Sequence, residues 1–355
     1  MKLFLYKNSG VAIKEEYSDN LAMEERPVRI QDVAFELGVS TATVSNVIHG
    51  KTKKIGRQTV ALVERKLEEM GYLPRQAHIL LGKNPSMLVG LIINDHEKYG
   101  GHPLEDGYLS KILNSLAREA EKRGYLLIVK LASTIDDVPI LASVWNMEAV
   151  IVQGFCQVDY RKMKMRMHRP LIVFDGFFPS GDEYNSLQID HFRGGVLAGE
   201  YLKGMGHEYA VCISDNDICM DLLRYQGLCT VLPESALMVV PSERKKRSEF
   251  YRENLTDILN NTAAFCVSDY YALDLIRNLH DMGIRVPEDF SVIGFDDIAG
   301  LELTIPPLTT IGQDTDERAV KAFDMVEDLK NDAGYLADIR LEPVLVERES
   351  VRKLN

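Results

Sequence analysis

The chain has 355 residues, 46% of them apolar, so two or three compact units with real cores are expected, and no apolar run approaches the ~18 residues that a membrane span needs. Five scattered cysteines (Cys156, Cys212, Cys219, Cys229, Cys266), with no CxxC pair and no histidine at metal spacing, indicate neither a disulfide framework nor a zinc site, and they read as small buried hydrophobes. The formal charge of −12 argues against a nucleic-acid partner until it is divided: residues 25–84 hold ten Lys or Arg against six Asp or Glu, leaving −16 for the rest. A basic head on an acidic body suits a protein whose head meets phosphates while its body stays clear of them.

Residues 1–25 show no periodicity and are expected to be a disordered extension, with Met23 a candidate start. The cluster Leu3 to Tyr6 behind Lys2 is too short for a secretory signal, so a cytoplasmic location beside the nucleoid is expected. Residues 26–73 read as a small helical bundle. Val33, Ala34 and Leu37 line one face of a first helix, and Gly38 is suited to the left-handed turn that ends it. Ser40 is placed to N-cap a second helix, whose Val44, Val47 and Ile48 point inward while Thr41, Ala42, Ser45 and Asn46 point away. A third helix is expected from Gln58 to Met70. Such an outward face suits DNA, because an α-helix fits the major groove, Asn pairs with adenine, and Thr or Ala methyls touch thymine. Spacing alone leaves an ordinary helical hairpin with a solvated face as an equal alternative.

From Met87 the pattern changes to β-rich runs alternating with helical ones: MLVGLII, YLLIVKL, AVIVQ, PLIVFD, YAVCIS, ALMVV, AAFCVS and FSVIGF. That alternation argues parallel sheets covered on both faces, and around eight such units divide more comfortably into two lobes than into one sheet. The stretch NDHEKYGGHPLEDGY is long for a turn; its Tyr99 and His102 either shape a binding cleft or fill a longer surface turn.

Several segments in this order resemble the LacI/GalR repressor family. In the head these are Ile30, Asp32-Val33-Ala34, Gly38-Val39-Ser40, Thr43-Val44-Ser45, Val47-Ile48, Gly71-Tyr72 and Pro74; in the body, GHEYAV, FCVSDYYAL, VPEDFSVIGFDD, PPLTTIGQD and LEPVLVERES. The resemblance covers roughly Arg29 to Arg352. It implies a helix-turn-helix headpiece (26–73), a hinge (74–86), and a two-lobed periplasmic-binding-protein-like α/β core. The first lobe would comprise 87–206 and 313–340 and the second 207–312 and 341–355, with crossings near Gly206, Gln313 and Leu341.

By the same resemblance, a homodimer reads a palindromic operator and a small-molecule effector in the cleft tunes the reading. A sugar leads among effectors, with a nucleobase or a phosphoprotein corepressor as the alternative. Ser40, Thr41, Ala42, Ser45 and Asn46 are the candidate DNA-reading residues, Lys53 with Lys51 and Lys54 is expected on phosphate, and Leu81 is the candidate minor-groove wedge. Arg75 and Ala77-His78 depart from the family pattern just before it. Arg224 in RYQG, Asp296 in GFDD, Ser268, Asp190 and Gln313 are the candidate effector contacts, although Asp296 or Asp297 could equally cap a turn, Asp269 a helix, and Arg224 pair with an acidic neighbour. No cofactor, metal or catalytic residue is expected. A periplasmic solute-binding protein would lack the head, and an enzyme built on Asp296-Asp297 would need a nucleophile or phosphate loop that the sequence does not offer. With no leucine heptads beyond Arg352, a lac-type tetramer is not expected.

Overall fold

The computed structural model describes residues 29–48, 51–70, 86–96, 99–136, 138–178, 183–332 and 334–354. The extension 1–25, most of the hinge and its Leu81 lie outside the described residues. The chain divides into two compact units, Met1–Asn84 and Pro85–Asn355.

The first unit contains α1 (Ile30–Leu37), α2 (Thr41–Ile48) and α3 (Arg57–Glu69). The amide of Arg29 donates to Asp32 Oδ2 at 2.8 Å, which opens α1. Gly38, at φ +64, ends it in a left-handed conformation that costs glycine little. Ser40 Oγ accepts from the Thr43 amide at 3.1 Å, satisfying one of the donors that the start of α2 leaves open. Val33, Ala34, Val44, Val47, Val63 and Leu67 form the buried core of the bundle.

The second unit holds two six-stranded sheets. The first runs in the order β11 (Asp338–Leu341), β5 (Asn185–Ile189), β4 (Leu171–Phe174), β3 (Ala149–Gln153), β1 (Leu88–Asn94), β2 (Leu126–Ala132), all parallel. Its two faces are covered separately. Val89, Leu91, Ile93 and Ile151 pack with α4 (Gly107–Arg123) and α12 (Thr315–Asn331), whereas Leu88, Ile92, Val150 and Val152 pack with α5 (Val138–Val144) and α6 (Gln157–Arg166).

The second sheet runs β12 (Val344–Val346), β10 (Thr310–Gly312), β9 (Ser291–Asp296), β8 (Ala263–Cys266), β6 (Val211–Ser214), β7 (Ala236–Val239), with only β12 antiparallel. Around it lie α7 (His191–Gly204), α8 (Cys219–Val231), α9 (Arg244–Glu253), α10 (Leu255–Leu259) and α11 (Asp269–Asp281). Four of the strands, β5, β10, β11 and β12, escape the sequence pattern. They are three to five residues long, and β5 reads Asn-Ser-Leu-Gln-Ile with little apolar signal.

The chain passes between the sheets three times, and one crossing corrects the sequence expectation. Rather than near Gly206, the first falls at Asp190-His191, one helix earlier. The reason is packing: Ala198 and Leu202 of α7 bury in the second core, so α7 belongs to the second lobe. The other two crossings lie at Gln313-Asp314 and just past Leu341. The cysteines also differ from expectation. Cys212 and Cys266 are buried, but Cys156 is exposed beside α6, and Cys219 and Cys229 are half-buried.

Candidate functional site

In the head, the buried stripe of α2 turns Ser40, Thr41, Ala42 and Asn46 outward, all exposed, with Ser45 half-buried. Lys51, Lys53 and Lys54, in the loop before α3, are exposed too. The outward face of α2 is therefore short, polar and flanked by positive charge, as contact with a groove and its phosphates requires.

The core concentrates its buried charges at the carboxyl ends of the strands, where open α/β sheets place ligands. Arg224 reaches there from α8 because α7 and α8 touch backbone to backbone. A Cβ on Gly195 would stand 1.9 Å from the Arg224 carbonyl oxygen, and one on Gly227 would stand 2.1 Å from that of Phe192. The Arg224 guanidinium, only 8% exposed as a residue, lies 3.8 Å over the ring of Phe295. It donates to His191 Nδ1 from Nε at 3.2 Å and also to the Val267 carbonyl oxygen, and Asp221 stands 3.5 Å away.

Because Nδ1 of His191 accepts, its proton sits on Nε2, which faces Asp175 Oδ1 at 3.3 Å. Burial lowers the pKa of this imidazole, with Arg224 adding to the effect, so the ring is neutral. Asp175 is itself buried, which alone would raise its pKa. The Arg318 guanidinium at 2.8 Å outweighs burial and holds the carboxyl well below its usual range. Arg318, 1% exposed, also donates to Tyr108 Oη, to Gln313 Oε1 at 3.2 Å and to the Leu187 carbonyl oxygen at 2.9 Å. Gln313 in turn donates to Asp296 Oδ1 at 2.6 Å. Burial raises the pKa of Asp296 well above the usual carboxyl value, against the opposing pull of the Arg224 guanidinium and the hydrogen bond from Gln313.

The result is a chain of buried polar groups from Arg224 in the second lobe through His191 to Asp175 and Arg318 in the first, and back through Gln313 to Asp296. Three carboxylates at strand ends, Asp175, Asp296 and Asp297, hold left-handed φ values of 50°, 113° and 51°. Strain of this kind persists only where surrounding contacts over-determine it, and it collects at ligand sites.

Of the residues anticipated from sequence, Arg224, Asp296 and Gln313 come together here. Asp190 and Ser268 do not join them by hydrogen bonds: Asp190 N-caps α7, accepting from the Arg193 amide at 2.8 Å, and Ser268 N-caps α11. Asp269 is not that cap; it accepts from Thr310 Oγ1 at 2.6 Å and the Ile298 amide at 3.0 Å. Asp297 pairs with Arg348 at 2.7 Å and, on the rim between the lobes, with Lys111 at 3.6 Å. His102 is exposed and faces Glu105, while Tyr99 packs at the edge of the first core.

Tyr108, Asp175, His191, Phe295 and Arg318 escape the sequence reading. Two carry a signal: Asp175 closes the run PLIVFD, and Arg318 sits on the apolar side of α12, among Thr315, Ala319, Ala322 and Phe323. A charge on an apolar helix face is buried only when it is paired. Among the described residues no group of His, Cys, Asp and Glu could hold a metal ion, and no helix is long and apolar enough to cross a membrane.

Residues 29–75 match the family model for bacterial regulatory proteins, lacI family, and residues 200–351 match that for a periplasmic binding protein-like domain. The HTH-type transcriptional repressor PurR of Actinobacillus pleuropneumoniae serotype 3 (strain JL03) is 30% identical over 348 residues, which cover 92% of this chain and 99% of that one. Among solved structures, the lac repressor dimer bound to operator and the anti-inducer ONPF superposes with a TM-score of 0.75 at 24% identity, covering 92% of this chain and 100% of that one. A complex of the transcriptional regulator CelR with cellobiose superposes at 0.65 and 22% identity over the same shares.

Proposed function

Because this chain belongs to the lacI family of bacterial regulatory proteins and is a DNA-binding transcriptional regulator, we propose that it is a repressor switched by a sugar held between the lobes of its core. In operation, α2 enters the major groove, with Thr41, Ala42, Ser45 and Asn46 toward base edges and Lys53 on phosphate. One head reads a half-site, so a two-fold dimer on a palindromic operator follows. Leu81 is assigned the minor-groove wedge, and a Leu81→Ala protein is expected to bend operator DNA less.

The observation that carries the effector reading is the buried Arg224–His191–Asp175–Arg318 chain, which joins the two lobes at their strand ends. A ligand bound there favours one arrangement of the lobes over another, and its effect on DNA equals its differential affinity for the two. A sugar is the leading reading, since the rings of Phe295 and Phe174 are covered by Arg224 and Arg318 and so withdrawn as stacking faces for a base. The bound ligands of two structural neighbours, cellobiose in one and ribose in another, agree with that preference.

Calorimetric titration of D-ribose, D-galactose, cellobiose and guanine into the protein, with and without operator DNA, tests the reading. One sugar is expected to bind, and operator must change its affinity by the same factor by which the sugar changes operator affinity. A sugar affinity indifferent to operator would mean that the core is no switch; binding of guanine alone would replace the sugar by a base.

A further inference from the structure

Two of the thiols stand on opposite lobes, each on a turn that leads from a strand into a helix. Cys156 lies three residues past Gln153, the last residue of β3 in the first lobe, and occupies the N-cap position of α6. Cys219 is the first residue of α8, which follows β6 in the second lobe. Both turns belong to the carboxyl ends of their sheets, the ends at which the two lobes meet.

The contacts between the lobes bring these turns together. Arg224, five residues past Cys219 on α8, donates to His191, and His191 faces Asp175. Asp175 directly follows β4, and β4 is hydrogen-bonded to β3, the strand that Cys156 follows. Five helical residues rise only about 7.5 Å, so Cys219 starts close to the residue that joins the lobes. Tyr160 locates the pair from the first lobe. Its hydroxyl accepts from the amide of Phe155, the residue before Cys156, at 3.1 Å. Burial raises the pKa of that hydroxyl, and the charges that Asp175, Cys156 and Cys219 carry when ionised raise it further. Cys219 responds in the same way, to burial, then to Asp221, then to Cys156 on the other lobe. Charges act on one another in this way only at short range.

These two thiols are within reach of an oxidant in water, and the other three are badly placed to compete. Cys156 is exposed, its Sγ donating to Asp159 Oδ2 at 3.0 Å, and Cys219 is half-buried. Cys212 and Cys266 lie on the adjoining strands β6 and β8, but both are fully buried, and structural cysteines in such surroundings are inert. Cys229 stands ten residues along α8 from Cys219, about 15 Å away, with its Sγ toward the Ser235 carbonyl oxygen.

We propose that Cys156 and Cys219 are a redox-active pair, which a hydroperoxide oxidises to a disulfide that ties the first lobe to the second and so changes operator affinity. Cys156, the more exposed, attacks the peroxide as its thiolate: a sulfur–oxygen bond forms, the oxygen–oxygen bond breaks, and the leaving hydroxide combines with the proton the thiol has lost. The Cys219 sulfur then attacks the sulfenic sulfur of Cys156. A sulfur–sulfur bond forms, the sulfur–oxygen bond breaks, and the departing hydroxide takes the Cys219 proton. In sum two thiols lose two electrons and two protons, and one peroxide becomes two waters. A disulfide requires Cα atoms about 4.4–6.8 Å apart, so the bridge holds the lobes closed at these turns. Its effect on DNA rests on the lobes being the switch, since a bridged core is confined to one of its arrangements.

The test treats the reduced full chain with hydrogen peroxide and follows intact mass, disulfide-linked peptides and operator binding. Wild type is expected to lose two hydrogen atoms in mass without joining a second chain, to yield a bridged peptide pair holding Cys156 and Cys219, and to recover with dithiothreitol. Cys156→Ser and Cys219→Ser should each abolish the bridge. Cys212 shares a tryptic peptide with Cys219, so Cys212→Ala, which should keep the bridge, tells the two apart. Operator affinity of wild type should change at least threefold on oxidation and return on reduction, while that of Cys156→Ser stays constant under peroxide. Because the bridge is read on wild-type protein, the result does not hang on a variant folding. Sulfinic acid at Cys156 with no bridge, a bridge between two chains, or one through Cys212 would each overturn the pair. A bridge that forms between Cys156 and Cys219 yet leaves operator affinity unchanged would overturn the regulatory role, and with it the reading of the lobes as a switch, while the pair itself stands.

Discussion

Arg224 and His191 are joined by two donors on one acceptor: Nε and Nη2 of the guanidinium stand 3.2 and 3.1 Å from the imidazole Nδ1. His191 therefore serves as a neutral bridge, accepting from the arginine and turning its N–H toward Asp175. Replacing it by Leu removes that acceptor from a buried cation, and an unmatched buried donor costs about 1–3 kcal/mol. Urea denaturation of His191→Leu should show a loss of this size. A variant as stable as the parent would mean that the bridge adds nothing to holding the lobes.

The approach of α7 to α8 can be tested on α7 itself. A Cβ on Gly195 would meet the Arg224 backbone at 1.9 Å, whereas Gly204, at the end of the helix, has nothing within 4 Å of such an atom. Overpacking against backbone costs about 1–3 kcal/mol or more, while alanine in open helical space is neutral or stabilising by up to about 1 kcal/mol. Gly195→Ala should therefore melt well below Gly204→Ala. Equal melting temperatures would refute the close approach.

Base reading and phosphate contact separate in the head. Asn46→Ala should lower operator affinity by about 1–3 kcal/mol and relax preference at one base pair of each half-site. Lys53→Ala should instead weaken all sequences alike and flatten the salt dependence. Binding titrations on a set of single-base operator variants distinguish them, and parallel losses in the two variants would remove Asn46 from base readout.

Asp269 makes stability depend on pH in an unusual direction. Burial pushes its carboxyl up to about 7, against the hydrogen bonds from Thr310 and Ile298 that favour the ionised form. In the unfolded chain the group titrates near the ordinary value of about 4, so between those values the folded state binds more protons. The stability this residue contributes is fully present below about pH 4 and is lost as pH rises to about 7, at up to ~1.4 kcal/mol per pH unit. The stability of wild type relative to Asp269→Asn, which mimics the neutral acid, should fall across that range. A difference that stays flat would place the titration elsewhere.

The sequence by itself determined the elements whose signal is local. Val33, Ala34, Val44 and Val47 repeat at helical spacing, and the first two helices of the head, with the outward polar face of the second, follow from that period. The long buried strands show as apolar runs because both of their faces are covered, and Arg224, Asp296 and Gln313 stand at strand ends or beside them in motifs of fixed order. The strands β5, β10, β11 and β12 were not legible, since Asn-Ser-Leu-Gln-Ile, Thr-Ile-Gly and Asp-Ile-Arg-Leu mix polar and apolar residues and Val344–Val346 is only three residues long, whereas the equally short β4, β6 and β8 lie in continuous apolar runs.

Only the tertiary structure decided which charges meet. Asp175, His191 and Arg318 are separated by up to 143 positions in sequence, yet they share one ion-paired cluster because α7 and α12 both begin where the chain passes between sheets. The same holds for the first crossing. Nothing local to 191–204 says which sheet α7 covers; that is settled by Gly195 and Gly227, whose missing side chains let α7 lie against α8 and so assign it to the second core. A charge partner or a packing partner is a property of distance in space, and local periodicity carries no term for it.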